Sequence, residues 1–355
     1  MPRLNKKRLR EGGPWLQFVA PEQAGWSAEK LREARHFYEE IGSAAFMVID
    51  RGAVAVAWGN ITTPYGCHSV RKSILSALYG IHAGEGRIDI HRTLAELGID
   101  DSLPLTEAEK QAKIVHLLKA RSGIYLEAAS ETEDMKKNRP TRGSHPPDTH
   151  WYYNNWDFNA LETIFGQETK SGVFEEFEAR LAHPLHMEDF HLSQHTRRYH
   201  QKQFSMHSAH HYRITARDLA RFGLLFLQKG RWADKQLIPE SWVEESTLPY
   251  SMNEQKSAGY GYLWWIPRAG VWKMLGMDEA TGLGMYEAAG FGGQRIAIWP
   301  KAGLVLVHRA DTDANRTVPQ PQILKLYRLI YEAKIGRSGE DSVLAEQPDF
   351  VPLKK

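Results

Sequence analysis

Strand-type patterns stand at both ends of this chain, and a long stretch of helical pattern separates them. Two short apolar runs, 44–49 and 53–58, flank Asp50-Arg51-Gly52, which signals a β-hairpin. Strand signals return at 260–266, 285–289, 295–299 and 304–308, and the amphipathic segment 323–333 predicts a closing helix. Between 67 and 247 the pattern is largely helical with long polar loops. There Ile74, Leu75, Leu78 and Ile81 form one stripe that Gly84 and Gly86 close, and Leu117-Leu118 belong to a helical segment ending near Ser122-Gly123. Thr215-Ala216-Arg217-Asp218 reads as a capping box opening a helix over 219–227. Upstream, Ser27 is an N-cap for a helix with Leu31, Ala34, Tyr38 and Ile41 on one face. The charged, Pro- and Gly-containing stretch 127–148 reads as a long loop, of the kind that borders a site. The expectation is a sheet domain assembled from 14–66 and 248–335, a mainly helical domain over 67–247, and tails at 1–13 and 336–355.

Composition permits such a plan. The chain has 355 residues, 42% hydrophobic and 25% charged, enough to bury large cores. Its 45 basic and 43 acidic side chains leave a net charge of +2, which gives no field to select nucleic acid. A single cysteine excludes a disulfide framework or a cysteine-rich zinc module. No run of apolar residues is long enough for a spanning helix, so no membrane is expected. The basic start, Met1–Gly13, lacks the apolar stretch of a secretory signal, and the expectation is a soluble, cytoplasmic protein of open oligomeric state.

Three segments carry chemistry. Ser69-Val70-Arg71-Lys72 begins the Ile74–Ile81 helix, and residues three apart share a helical face, so hydroxyl and amine can meet. Serine is a poor nucleophile without an adjacent base, and lysine becomes that base when burial and nearby cations lower its pKa. Ser27-Ala28-Glu29-Lys30 fits the same spacing, and there a cap with an exposed lysine is the reading. Tyr153-Asn154-Asn155 supplies a phenol that can relay a proton beside an ammonium, and an amide that can hold an amine and a carbonyl. An aromatic loop packed on the core is the alternative. Ala288-Ala289-Gly290-Phe291-Gly292-Gly293-Gln294 allows close backbone approach and presents N–H donors to an oxyanion, or is simply a glycine-rich hairpin. Its glycine spacing is not that of a nucleotide loop.

In this order the three segments resemble the S-x-x-K, Y-x-N and K-T-G signatures of the serine β-lactamase, penicillin-binding protein and esterase superfamily. The segments Ile114–Ile124, Pro147–Asn155, Thr215–Gly223 and Gly259–Trp265 are similar to its intervening motifs, so the resemblance covers roughly 20–330. The Gly290–Gln294 ending looks like the esterase and 6-aminohexanoate-dimer hydrolase branch. The resemblance implies an α/β (α+β), β-lactamase/transpeptidase-like fold: a central antiparallel sheet flanked by helices, plus a mainly helical domain. It implies that Ser69 is the acylated nucleophile, Lys72 its base and Tyr153 the proton shuttle, with Asn155 positioning Lys72 and substrate. The backbone N–H groups of Ser69 and Phe291 would form the oxyanion hole. Gly290 and Gly292 would contact substrate, and Tyr125 and Trp156, which flank motif segments, would line the pocket. Ala288 stands where the family has the lysine that binds the penicillin carboxylate, which disfavours β-lactams. Lys170-Ser171-Gly172 spells that motif, but lies between predicted helices and is read as a decoy.

Eight histidines between His183 and His211 lack the HExxH pattern and are read as a polar stretch bordering the cleft, with no metal and no cofactor expected. Cys67 is read as a small buried side chain beside the reactive segment. The expected function is hydrolysis of a small-molecule ester or amide through an acyl-Ser69 intermediate. A D,D-peptidase or weak β-lactamase, an acyltransferase, and a non-catalytic binding protein are the alternatives, with a metal-dependent enzyme last.

Overall fold

The computed structural model describes residues 14–253, 255, 257–274, 284–336 and 344–346. Its strands are β1 (Leu16–Phe18), β2 (Ala45–Asp50), β3 (Ala53–Gly59), β4 (Tyr65–Gly66), β5 (Thr196–Tyr199), β6 (Ala209–Ile214), β7 (Arg231–Trp232), β8 (Lys235–Gln236), β9 (Ser251–Met252), β10 (Ala258–Tyr260), β11 (Trp265–Pro267), β12 (Tyr286–Gly290), β13 (Gln294–Trp299), β14 (Leu304–Arg309) and β15 (Leu344–Glu346).

Ten of them form one sheet in the order β15-β1-β3-β2-β14-β13-β12-β11-β10-β9. Neighbours run antiparallel, except β1 beside β3, which are parallel. The β2–β3 hairpin and β12–β14 are therefore joined side by side from opposite ends of the chain. Alternation sorts their side chains. Phe46, Val48, Ala297 and Trp299 face the helices Ala28–Glu40 and Gln320–Ala333, while Met47, Ile49, Ile296, Ile298, Val305 and Val307 face the other core. Ser27 caps the first helix by accepting from Lys30 N–H at 3.3 Å.

The helix Ala216–Leu227 is the main departure from the expected division. It lies against β2, β13 and β14, so a segment assigned to the helical domain builds a layer of the sheet unit. Its Leu219, Phe222, Leu224, Leu225 and Phe226 are buried, and Gly223 lets it approach: a Cβ there would stand 2.5 Å from Val305 Cγ1. Thr215 caps it as expected, but the box does not close, because Asp218 turns back to accept from the Glu188 and Asp189 N–H groups. Two strands of the middle segment, β5 and β6, join β4 in a three-stranded sheet, β4-β6-β5, which brings Tyr65–Gly66 against Ile214 and Arg213. The loop 127–148 contains a short helix, Glu133–Lys137, capped by Thr132. Residues 344–346, expected in a tail, pair with β1, and the arm 1–13 lies outside the described residues. Among the described residues no helix is long and apolar enough to cross a membrane.

Candidate active site

The short strand β4 delivers the chain to Ser69. Cys67 N–H donates to Tyr212 O of β6, and His68 then takes a positive φ of 47° that turns the backbone into the helix Val70–Gly84. Ser69 is the residue before that helix, and one turn on, Lys72 is 2% exposed. Its Nζ lies 3.2 Å from Ser69 Oγ and 2.6 Å from the Tyr153 hydroxyl. The amine thus bridges the two hydroxyls. The rings of Tyr153 and Phe158 each stand 4.1 Å from the amine. Among the described residues no carboxylate pairs with Lys72. Burial, followed by the neighbouring Arg71, holds its amine well below the ordinary lysine value. Burial pushes the Tyr153 phenol up to about 12, so it stays protonated near neutrality.

The other wall is the end of β12. A Cβ at Gly290 would sit 2.6 Å from Cys67 O and 3.2 Å from Ser69 N, so the strand end and the Ser69 turn meet backbone to backbone. Gly292 and Gly293, with φ of 75° and 101°, then reverse the chain into β13. Phe291 is 62% exposed, its ring edge-on to His68 at 5.5 Å, while His68 Nε2 lies 2.9 Å from Thr312 Oγ1. Ser69, Tyr153, Gly290 and Phe291 border one cavity of about 490 Å³.

Several expected residues lie elsewhere. Asn155 does not hold Lys72: it begins the helix Asn155–Thr169, and its Nδ2 donates to the Ser130 and Ala129 carbonyls. Asn154 caps that helix, accepting from Asp157 N–H at 2.8 Å. Trp156 is fully buried and donates to Asp101 Oδ2 at 2.7 Å, which makes it a core residue and not a pocket wall. Tyr125 is buried against Tyr152 and His145, and it does not border the cavity, nor does Gly292, where a Cβ would stand 2.4 Å from Thr312 Cγ2. The walls are instead Trp151, Tyr152 and Trp265, with Glu287, Arg295 and Asp134 as charged groups. Glu287 and Trp265 are register partners on β12 and β11, a placement that the alternation along each strand would have flagged had the short β11 been separated from β10.

No histidine of the described residues borders the cavity, and no His, Cys, Asp and Glu grouping among them can hold a metal. His207 Nδ1 meets Thr163 Oγ1 at 2.9 Å, and His210 Nδ1 meets Glu162 Oε2 at 3.1 Å. Cys67 is fully buried, and burial raises its thiol. Lys170-Ser171-Gly172 forms the turn between two helices.

Sequence reasoning missed Arg309. Buried at the end of β14, it donates to Gln294 Oε1 (2.7 Å), Ile214 O (2.6 Å), Tyr65 O (2.8 Å) and Gly66 O (3.0 Å). It fastens the β4–β6 pair, and with it the Ser69 turn, to the main sheet. Its signal was an arginine that follows the apolar run Leu304-Val305-Leu306-Val307 and His308 at the strand's end.

The chain belongs to the Beta-lactamase family, whose model matches residues 31–320. Its fold is also that of solved relatives. A Bacillus anthracis protein bearing the name 6-aminohexanoate-dimer hydrolase superposes with a TM-score of 0.61 at 20% identity, covering 92% of this chain and 88% of that one. A penicillin-binding protein homologue from Caulobacter crescentus superposes with a TM-score of 0.63 at 13% identity, covering 87% of this chain and 99% of that one. Among curated proteins, none matches this chain.

Proposed function

We propose that the chain is a serine hydrolase that opens a small-molecule ester or amide through an acyl-Ser69 intermediate. The observation that carries this reading is Lys72: an amine buried without an anion, within reach of both the Ser69 hydroxyl and the Tyr153 phenol. In its neutral form, Lys72 takes the Ser69 proton as Oγ attacks the substrate carbonyl. The oxyanion collects the backbone N–H groups of Ser69 and Phe291, which the Gly290 contact holds at one cavity mouth. When the tetrahedral species collapses, the leaving oxygen or nitrogen takes a proton through Tyr153, Lys72 resupplies it, and the acyl group stays on Oγ. Water then attacks that ester, gives its proton to the same pair, and the acid leaves as Ser69 regains its hydrogen.

Ala288, the residue at the family's lysine position, is fully buried and offers the cavity no cation, and the cation that does border it, Arg295, is paired with Glu287 at 3.7 Å, which supports an ester or amide over a β-lactam. A fluorophosphonate probe is expected to label wild-type protein at Ser69 and to leave Ser69→Ala untouched. Equal labelling of the two would overturn the reading.

A further inference from the structure

Carbonyls of the turn that joins β12 to β13 are held one by one. Val318 N–H donates to Gly292 O at 2.9 Å. His308 Nδ1 donates to Gly293 O at 2.7 Å, while its Nε2 accepts from Ser43 Oγ, also at 2.7 Å. Arg295 takes the carbonyl at the strand end: its Nη1 lies 3.0 Å from Gly290 O and 3.1 Å from Gln294 O. The Arg295 side chain is 12% exposed, and its Nε faces the Glu287 carboxylate at 3.7 Å. Register explains the reach. Arg295 pairs with Ala289 across the ladder, so its side chain stands on the face of β12 that Glu287 and Ala289 share.

The Gly290 carbonyl is bonded to the nitrogen of Phe291. This peptide is trans, so in one flat unit the C=O and the N–H point in opposite directions. A guanidinium that fixes Gly290 O therefore fixes the Phe291 N–H as well, aimed away from Arg295. Such a pin is needed because glycine at 290 leaves the peptide free to rotate. Among the described residues, β11 pairs with β12 only at Trp265 and Glu287, so no strand runs beside β12 at Phe291. This is the strand end that meets Ser69 N. The bond also polarises what it orients: a charge-assisted donor on a peptide oxygen strengthens the N–H of the same unit.

We propose that Arg295 is a positioning residue of the oxyanion hole: through Gly290 O it aims and polarises the Phe291 N–H, and Glu287 holds the guanidinium in place. This rests on the acyl-Ser69 reading given above. The rival role for an arginine beside the cavity is capture of a substrate carboxylate. Against it, Nη1 is spent on two carbonyls and Nε faces Glu287.

The test is the infrared stretch of the acyl carbonyl in acyl-Ser69, formed from a slow neutral ester isotope-labelled at that carbon. It is read beside kcat and KM for a neutral p-nitrophenyl ester. Donors on the acyl oxygen hold the wild-type band at low frequency. In Arg295→Met the band is expected to move up, with kcat lower by roughly tenfold to a hundredfold and KM within about twofold of wild type. Arg295→Lys, which keeps a cationic donor on a long stem, returns the band and most of kcat. Arg295→Gln replaces Arg295→Met if that variant does not fold. A folded variant with the wild-type band, whether or not kcat falls, overturns the proposal, and so does an Arg295→Lys no better than Arg295→Met. A raised KM at unchanged kcat would make Arg295 a substrate-binding group and overturn it too. Absence of both the acyl band and fluorophosphonate labelling at Ser69 in wild type would instead refute the serine-hydrolase reading itself.

Discussion

Gly290 and Ser69 touch through their backbones: a side chain at 290 would have to share space with Ser69 N at 3.2 Å and Cys67 O at 2.6 Å. Two elements far apart in sequence, the end of β12 and the start of the Val70–Gly84 helix, thus define one cavity mouth. No side-chain swing relieves a Cβ that close to a backbone oxygen, so Gly290→Ala is expected to force the two elements apart, which misplaces both proposed oxyanion donors. Removing one such donor costs on the order of 10²–10³ in kcat, and a loss of at least about tenfold in the protein that remains folded, together with a lowered melting temperature, is expected here. Ester turnover beside thermal denaturation checks it; wild-type turnover would show that the contact does not shape the site.

Tyr153 and Lys72 are 2.6 Å apart, and the phenol is the only hydroxyl besides Ser69 that the amine reaches among the described residues. Tyr153→Phe keeps the ring over the amine and deletes the proposed relay. The expected result is a fall in kcat of roughly 10²–10⁴ with little change in KM. A variant that loses affinity but keeps kcat would assign Tyr153 to substrate binding alone.

Arg309 satisfies three carbonyls and the Gln294 amide oxygen without any solvent to replace it. Arg309→Met leaves these acceptors buried and unpaired, at about 1–3 kcal/mol for each one left unsatisfied. A loss of at least roughly 3 kcal/mol is expected, with slower Ser69 labelling in the protein that remains folded. Denaturant melts and labelling rates measure both; loss of stability with normal labelling would mean that the β4–β6 anchor does not position the nucleophile.

Asp157 provides a pH signature separate from catalysis. It is fully buried, Ser122 Oγ donates to it at 2.5 Å, and burial pushes its carboxyl up to about 7. In the unfolded chain an aspartate titrates near ~3.9, so between those values the folded state holds more protons than the unfolded one. The contribution of this group is therefore full below about pH 4 and is lost as pH rises through about 7. Relative to wild type, Asp157→Asn is expected to melt at progressively higher temperature on going from about pH 5 to about pH 8. A constant difference across that range would show that the carboxyl is not raised.

The parts of the fold legible in the sequence are those where one interaction dominates. Continuous apolar runs mark β2, β3, β13 and β14 because both faces of those strands meet cores. The Ser69–Lys72 spacing is legible because a helix enforces it. β5, Thr196-Arg197-Arg198-Tyr199, is not, since its polar side chains are partly or largely exposed and it exists only through pairing with β6. Asn155 and Trp156 show the limit within a motif. The helix that places Tyr153 beside the cavity rotates both of its first residues away, one to the Ser130 carbonyl and one to Asp101. Trp265 rather than Trp264 borders the cavity for a similar reason, as Trp264 is buried against Phe226 and Tyr286.

That difference is testable in pairs. Trp156→Phe removes the bond to Asp101 and is expected to cost about 1–3 kcal/mol of stability with wild-type KM, whereas Trp265→Ala is expected to raise KM and change stability less. Chemical denaturation and steady-state kinetics separate the two. A raised KM in a stable Trp156→Phe would return that residue to the pocket wall.

The central claim is a covalent acyl-Ser69, and it is tested most directly by quenching the protein in acid during turnover of a slow ester and weighing it. The expected result is an adduct of one acyl group that maps to the peptide containing Ser69, accumulates further in Tyr153→Phe, and vanishes in Ser69→Ala. Turnover without any adduct, or an adduct that persists in Ser69→Ala, would contradict the account.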